Sequence, residues 1–326
     1  MKKSELRAEL KKLDKNELTK LFIAAYDELT PKKKDVVDGL VLGGEAIEAE
    51  ETVKKEPEID MDGLMEDIDA FVEHAEDGLY YSPNRTVSKE KRSKWRFEAK
   101  GYFKSLMDIP SNSKHYDDSV TYVMKMYGIL CRANVVYTFR SDDPFRAVFN
   151  KTEGEFFPEL LSYVTLNGYN TDVARELFLI ICKLEPDRET SSTRLLEMLV
   201  QKITEFGKEE DALKIAMEEY KIHGENGTFS SGFITEQTIM SNNLGNKIPR
   251  FIVLLLYALE RYEEAYDFYM KAKLPYNTQK EERLYVLLEF LGDNEKEWVR
   301  IYERGIADAI VPRNNLQQKY KSLTNA

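Results

Sequence analysis

The stretch Phe251-Ile-Val-Leu-Leu-Leu-Tyr257-Ala258-Leu-Glu-Arg261-Tyr262-Glu-Glu-Ala265-Tyr266-Asp-Phe-Tyr269-Met-Lys-Ala272 reads as two helices joined by a very short connection. The first is apolar on most sides. The second carries Tyr262, Ala265, Tyr269 and Ala272 on one stripe, since residues three, four and seven apart share a helix face. Small side chains at 265 and 272 let two backbones approach, and the tyrosines fill the grooves beside them. Each helix of such a pair has a face that only a neighbour can bury, which is the logic of stacked helix pairs.

The same pattern recurs around it. Leu195, Leu196, Leu199 and Ile203 form one face, Gly207-Lys208 turns the chain, and Ala212, Ile215, Ala216 and Tyr220 form the next. A further pair sets Leu284, Leu287, Leu288 and Leu291 against Trp298, Ile301 and Tyr302. Helical spacing predicts helices over 62–77, 89–107, 117–139, 144–150, 155–167, 171–184, 191–206, 208–223, 249–260, 262–273, 279–291 and 294–309. Asp143-Pro144 supplies an N-cap and a first-turn proline. Gly168, Gly207, Gly224 and Gly292 stand where helices stop. No stretch alternates with a period of two, so no sheet is expected.

Arg261 to Ala272 resembles the second helix of a tetratricopeptide repeat, through the small residue at 265, the aromatic at 269 and the alanine at 272. Gly207 to Tyr220 is similar to the same element, with Ala212 and Tyr220 in corresponding places. The Trp, Leu-Gly and Tyr of that family's first helix are not matched; Leu254, Leu255 and Tyr257 occupy the region. The resemblance implies a solenoid that binds other proteins, and it assigns no functional residue. The expected fold is all-α: antiparallel helix pairs stacked as a degenerate TPR-like α-solenoid, with a small N-terminal helical module.

Four regions are expected. Residues 1–42 form the module: Asp14 to Glu17 is a capping-box pattern opening a face of Leu18, Leu21, Phe22, Ala25, Tyr26 and Leu29, and Thr30-Pro31 starts a further helix through Val41. Residues 43–60 are an acidic, flexible linker, 61–190 a helical domain and 191–326 the TPR-like repeats. At 326 residues, with a 42% hydrophobic fraction, the chain can bury a sizeable core. A charged fraction of 32% with only 16 Gly and 10 Pro favours helix over strand.

The net charge of −11 is concentrated. Residues 45–80 hold fourteen Asp/Glu against Lys54 and Lys55, whereas 81–107 hold eight basic residues against Glu90 and Glu98. Adjacent blocks of opposite sign pair with each other or with separate partners, so docking of 45–77 on 85–104 is one expectation. The two cysteines, Cys131 and Cys182, each sit in an apolar run and read as buried reduced thiols. Leu6, Leu10 and Leu13 are interleaved with charge, and no apolar run reaches spanning length, which predicts no signal peptide, no membrane contact and a cytoplasmic protein.

Glu58 to Asp69 fits parts of a calcium loop, with alternating oxygen ligands and Gly63 at the sharp turn; the competing reading is a solvated acidic run whose Asp60 or Asp62 caps a helix. Lys91, Arg92, Lys94, Trp95 and Arg96 interleave cations with aromatics, as nucleic-acid binding requires. The same spacing places Trp95, Ala99, Phe103 and Leu106 on an apolar stripe. His74, His115 and His223 are scattered, and no phosphate loop, nucleophile elbow or zinc spacing occurs. No cofactor is expected. The sequence therefore points to a non-catalytic interaction scaffold for a protein or peptide partner, with Tyr257, Tyr266, Tyr276 and Tyr285 as aromatics outside the stacking stripes. The alternative is a nucleic-acid-associated regulator using 85–104.

Overall fold

The computed structural model describes residues 13–27, 60–229, 235–275 and 278–324. Among them every regular element is helical: fourteen α-helices and one short π-helix, with no strand. The chain forms two compact units, Met1–Ile59 and Asp60–Ala326.

In the first unit, α1 spans Lys15–Asp27. It opens on the reciprocal cap expected of Asp14 and Glu17: the Glu17 amide donates to the Asp14 carboxylate at 2.8 Å and the Asp14 amide to Glu17 at 2.9 Å. Leu21, Phe22 and Ile23 remain about half exposed. The helix expected from Pro31 to Val41, and the linker expected over 43–60 apart from Asp60, lie outside the described residues.

The second unit begins with α2 (Met61–Glu76), α3 (Lys89–Met107), α4 (Tyr116–Arg132) and α5 (Pro144–Phe149). It continues through α6 (Glu153–Val164), α7 (Thr171–Lys183), α8 (Ser192–Glu205) and α9 (Glu209–Tyr220). A π-turn over Lys221–Glu225 follows. Then come α10 (Glu236–Ala258), α11 (Tyr262–Lys271), α12 (Lys280–Phe290), α13 (Glu295–Ala307) and α14 (Asn314–Thr324). Side-chain caps by Asp60, Ser88, Asp143, Thr152, Asn170, Ser191, Thr235 and Asn294 start eight of these helices. Gly207 and Gly292 adopt φ of +63° and +53° after α8 and α12, a region where a Cβ would be strained.

The longest helix, α10, is the hub, packing on α7, α8, α9, the π-turn and α11. From there each helix packs on the next, and α11 also reaches α13. One contiguous set of buried side chains runs from Met61 to Leu316. Phe149 stacks on Phe156 with centroids 4.1 Å apart, and Phe178 on Phe251 at 4.4 Å. Cys131 and Cys182 are both free and buried, and burial pushes both thiols up.

Two boundaries differ most from expectation, and one helix, α14, lies beyond the expected set. Pro249 was expected to start a helix, but α10 begins thirteen residues earlier at Glu236 and carries Pro249 inside it. An interior proline loses one backbone hydrogen bond and costs about 3 kcal/mol. Burial of Ile248, Phe251, Ile252, Val253 and Leu255 against several partners offsets that. Helix α4 ends at Arg132 rather than 139, because Phe139 turns back to stack on Trp95 at 4.0 Å and 11°. Helix α14 has only Leu316 buried and lacks a long apolar stripe; Tyr320 stacked on Tyr302 at 4.5 Å holds it.

Ala265 has no exposed surface, and Tyr266 and Tyr269 beside it are each 1% exposed. Ala265→Phe is expected to destabilise by about 1–3 kcal/mol through overpacking. A lowered thermal midpoint checks this; an unchanged one refutes the close packing at 265.

Candidate functional site

Three of the four tyrosines expected to be free are engaged in the packing. Tyr266 is buried, its hydroxyl donates to Asp308 at 2.7 Å, and the Arg304 guanidinium lies 4.2 Å from its ring centre. The Tyr257 hydroxyl donates to the Leu287 carbonyl at 3.1 Å, joining α10 to α12. Burial pushes both phenols up. Tyr285 is half-buried, with Arg313 4.7 Å above its ring. Tyr276 lies outside the described residues. The expectation of an open aromatic face is corrected for Tyr266, and Tyr257 and Tyr285 also serve as joints. Residues off the main stripe of one helix are covered here by the helix after next.

The basic aromatic segment is α3. Trp95 is 4% exposed beneath Phe139, so it is closed to base stacking. Lys94 pairs with Glu90 at 2.6 Å, and Arg92 donates to the Val87 and Asn84 carbonyls. Lys91 and Arg96 remain exposed, Arg96 lying over the exposed ring of Phe97. Among the described residues no ion pair joins 60–77 to 85–104; Asp69 pairs instead with Lys125 of α4 at 2.6 Å. The calcium-loop reading is also corrected. The Asp60 carboxylate accepts the Gly63 amide at 3.0 Å as a helix cap, and 61–76 is helical, so Asp62, Glu66 and Asp69 lie on a helix rather than a loop. Among the described residues no group of three or more His, Cys, Asp or Glu could hold a metal ion.

The structure instead brings together residues that the sequence keeps far apart. A groove runs across α2, α4, α7 and α10 as three adjoining hollows of about 440, 570 and 650 Å³. The first two share Gly128, Arg132 and Ile180; the last two share Lys183, Glu236 and Met240. Leu179, Ile180 and Met240 supply apolar surface, and Gly128 leaves a gap in the α4 wall. A clamp crosses the middle: Arg132 donates through Nε to Glu236 at 2.7 Å and through Nη2 at 3.1 Å. Those bonds hold the Glu236 carboxyl below its usual range. Lower on α7, Arg175 is tied to Glu219, a nearly fully buried carboxylate that also faces His223 at 3.3 Å.

With these pairs made, the charges left on the rim are unequal. Glu73, Glu76, Asp172 and Glu176 carry no ion pair among the described residues, against Lys183 alone of the lining cations. Burial pushes the Glu176 carboxyl up. The groove is thus a mildly apolar channel with an acidic rim. Sequence reasoning missed it because its walls come from four helices; the sole local hint is Gly128 within α4.

A second polar cluster lies sealed in the core. Glu153, 1% exposed, accepts from the Tyr127 hydroxyl at 2.6 Å, from the Cys131 thiol at 3.4 Å and from the Asp187 amide at 3.1 Å. Burial raises its carboxyl to about 7. No described helix is long and apolar enough to cross a membrane. No protein-family model, curated protein or solved structure matches the chain.

Proposed function

We propose that this protein is a non-catalytic interaction scaffold of stacked helix pairs, TPR-like in its C-terminal part, whose α2/α4/α7/α10 groove receives a basic amphipathic helix of a partner protein. The observation that carries the reading is the groove's charge balance after internal pairing: four carboxylates without ion pairs against Lys183, above the side chains of Leu179, Ile180 and Met240. A helix laid in such a groove buries its apolar stripe and keeps its cations at the rim. The buried Ala265 and Tyr269 within the tetratricopeptide-like segment support a stacked-pair scaffold.

Gly128 gives a clean test. A Cβ built there meets only Ile180 Cδ1 within 4 Å, at 3.8 Å, which is ordinary contact. Gly128→Ala should therefore fold normally, while Gly128→Phe fills the groove. A fluorescent helical peptide of leucines and lysines should bind the full chain, weaken with salt, and lose about tenfold in affinity, or roughly 1.4 kcal/mol, in Gly128→Phe and in Glu176→Lys. Equal binding of a leucine–glutamate peptide, or no loss in either variant, would sink the proposal.

A further inference from the structure

Away from the groove, a cleft of about 820 Å³ opens between three loops: α2–α3, α4–α5 and α7–α8. Loops held rigid by a scaffold are where ligand contacts concentrate, and these three are fixed by hydrogen bonds. The Asn84 side chain donates to the Leu79 and Ser82 carbonyls and accepts the Val87 amide, which sets the first loop. Arg140 Nε donates to the Tyr81 carbonyl at 2.7 Å, tying the second loop to the first. The Asn134 side chain donates through Nδ2 to the Glu185 carbonyl at 3.3 Å, tying the second to the third.

Two kinds of group then converge. Tyr137 is 78% exposed and Tyr81 40% exposed, with their rings 5.0 Å apart and tilted by 33°. So exposed an aromatic contributes little to folding, yet its neighbour ring supports it. The second kind is cationic. Arg140 uses only Nε in the bond to Tyr81, and Arg188 makes no hydrogen bond or ion pair with any described residue. Of the two lining carboxylates, Asp187 is 5% exposed and spends both oxygens on the Glu153 and Glu189 amides. Asp142 is left exposed at the edge. The volume lies in the range of small-molecule sites, about 300–1,000 Å³.

We propose that this cleft binds a small planar anion, an aromatic ring bearing a phosphate, with the ring on Tyr137 and the phosphate between Arg140 and Arg188. Guanidinium groups match phosphate oxygens in a bidentate fork, and an exposed tyrosine offers a face for ring stacking. The site is independent of the groove, so the failure of either leaves the other standing.

Isothermal titration of the full chain with AMP, adenosine and inorganic phosphate tests it. AMP should saturate, with adenosine and phosphate each at least about tenfold weaker, since each supplies only one half of the contact. Arg188→Gln and Tyr137→Ala should each weaken AMP by about tenfold or more without moving the melting temperature, because both side chains are exposed. No saturation by about 10 mM AMP, a value marking Kd weaker than specific recognition, would overturn the proposal. So would AMP affinity unchanged in both variants, or phosphate alone binding as tightly as AMP.

Discussion

Lys247→Met is expected to destabilise the protein by about 3 kcal/mol, the range set by leaving buried acceptors unpaired. Lys247 lies within α10 and is 4% exposed. Its ammonium donates to the Leu184 carbonyl at 2.5 Å and the Ile181 carbonyl at 3.5 Å, and meets Glu185 at 3.1 Å. An ammonium has three protons, and three acceptors receive them. Ile181 lies in the last turn of α7 and Leu184 is its C-cap residue, at the end where a helix leaves acceptors without internal partners and carries the negative end of its dipole. One helix is thus capped by a charge from another. Methionine keeps the length and the packing but donates nothing. Two carbonyls then stay buried without partners, and relief from burying the ammonium returns only part of the loss. Lys247→Arg, which keeps donors but enlarges the group, should fall between the two. Urea unfolding measures this; a Lys247→Met midpoint equal to that of the natural protein would show that the cap contributes nothing.

The helical framework was legible because its signals are local. Asp14 with Glu17, Asp143-Pro144, and Gly207 between two amphipathic runs each state a boundary without reference to the rest of the chain, and the helices lie there. The stripe of Ala265 and Tyr269 was equally readable, and both are buried. Boundaries failed where tertiary contact overrode a local rule: Pro249 inside α10, and Phe139 folded back onto Trp95. The Thr235–Thr238 cap that starts α10 stands well before the start expected at 249. Apart from Gly128, the groove was not legible, since Glu76, Arg132, Glu176 and Glu236 lie far apart in the chain and meet only after folding. Lys247 and Glu153 show the same blindness in another form. Each looks like an ordinary charge on a helix, and only the neighbours reveal that it is buried.

Glu153 should make stability depend on pH in an unusual sense. It stands in the first turn of α6, where a helix N-terminus favours a carboxylate. Burial outweighs that, and its carboxyl rises from 4.5 to about 7. The groups facing it are Tyr127 and Cys131 of α4 and Asp187 of the α7–α8 loop, with the Lys247 ammonium acting on Cys131 from α10. Between pH 4.5 and about 7 the folded protein keeps the Glu153 proton that the unfolded chain has released. The folded state binds more protons there, so stability falls as pH rises through the window. The contribution is complete below the unfolded value and gone above the folded one. That rise corresponds to about 3 kcal/mol. Glu236, held low by Arg132, has the opposite sense: its contribution is present above its unfolded value and lost as pH falls through the folded one. Comparing the natural protein with Glu153→Gln isolates the one from the other. The amide can accept the Asp187 amide proton through its oxygen and donate from its nitrogen to the Tyr127 hydroxyl oxygen, as the protonated acid does through its one O–H, without titrating. Below pH 4.5 the two proteins should be about equally stable. Above pH 7 the variant should be the more stable by up to about 3 kcal/mol. Denaturant midpoints measured from pH 4 to pH 8 decide it: parallel profiles would mean that Glu153 keeps its ordinary acidity inside the fold.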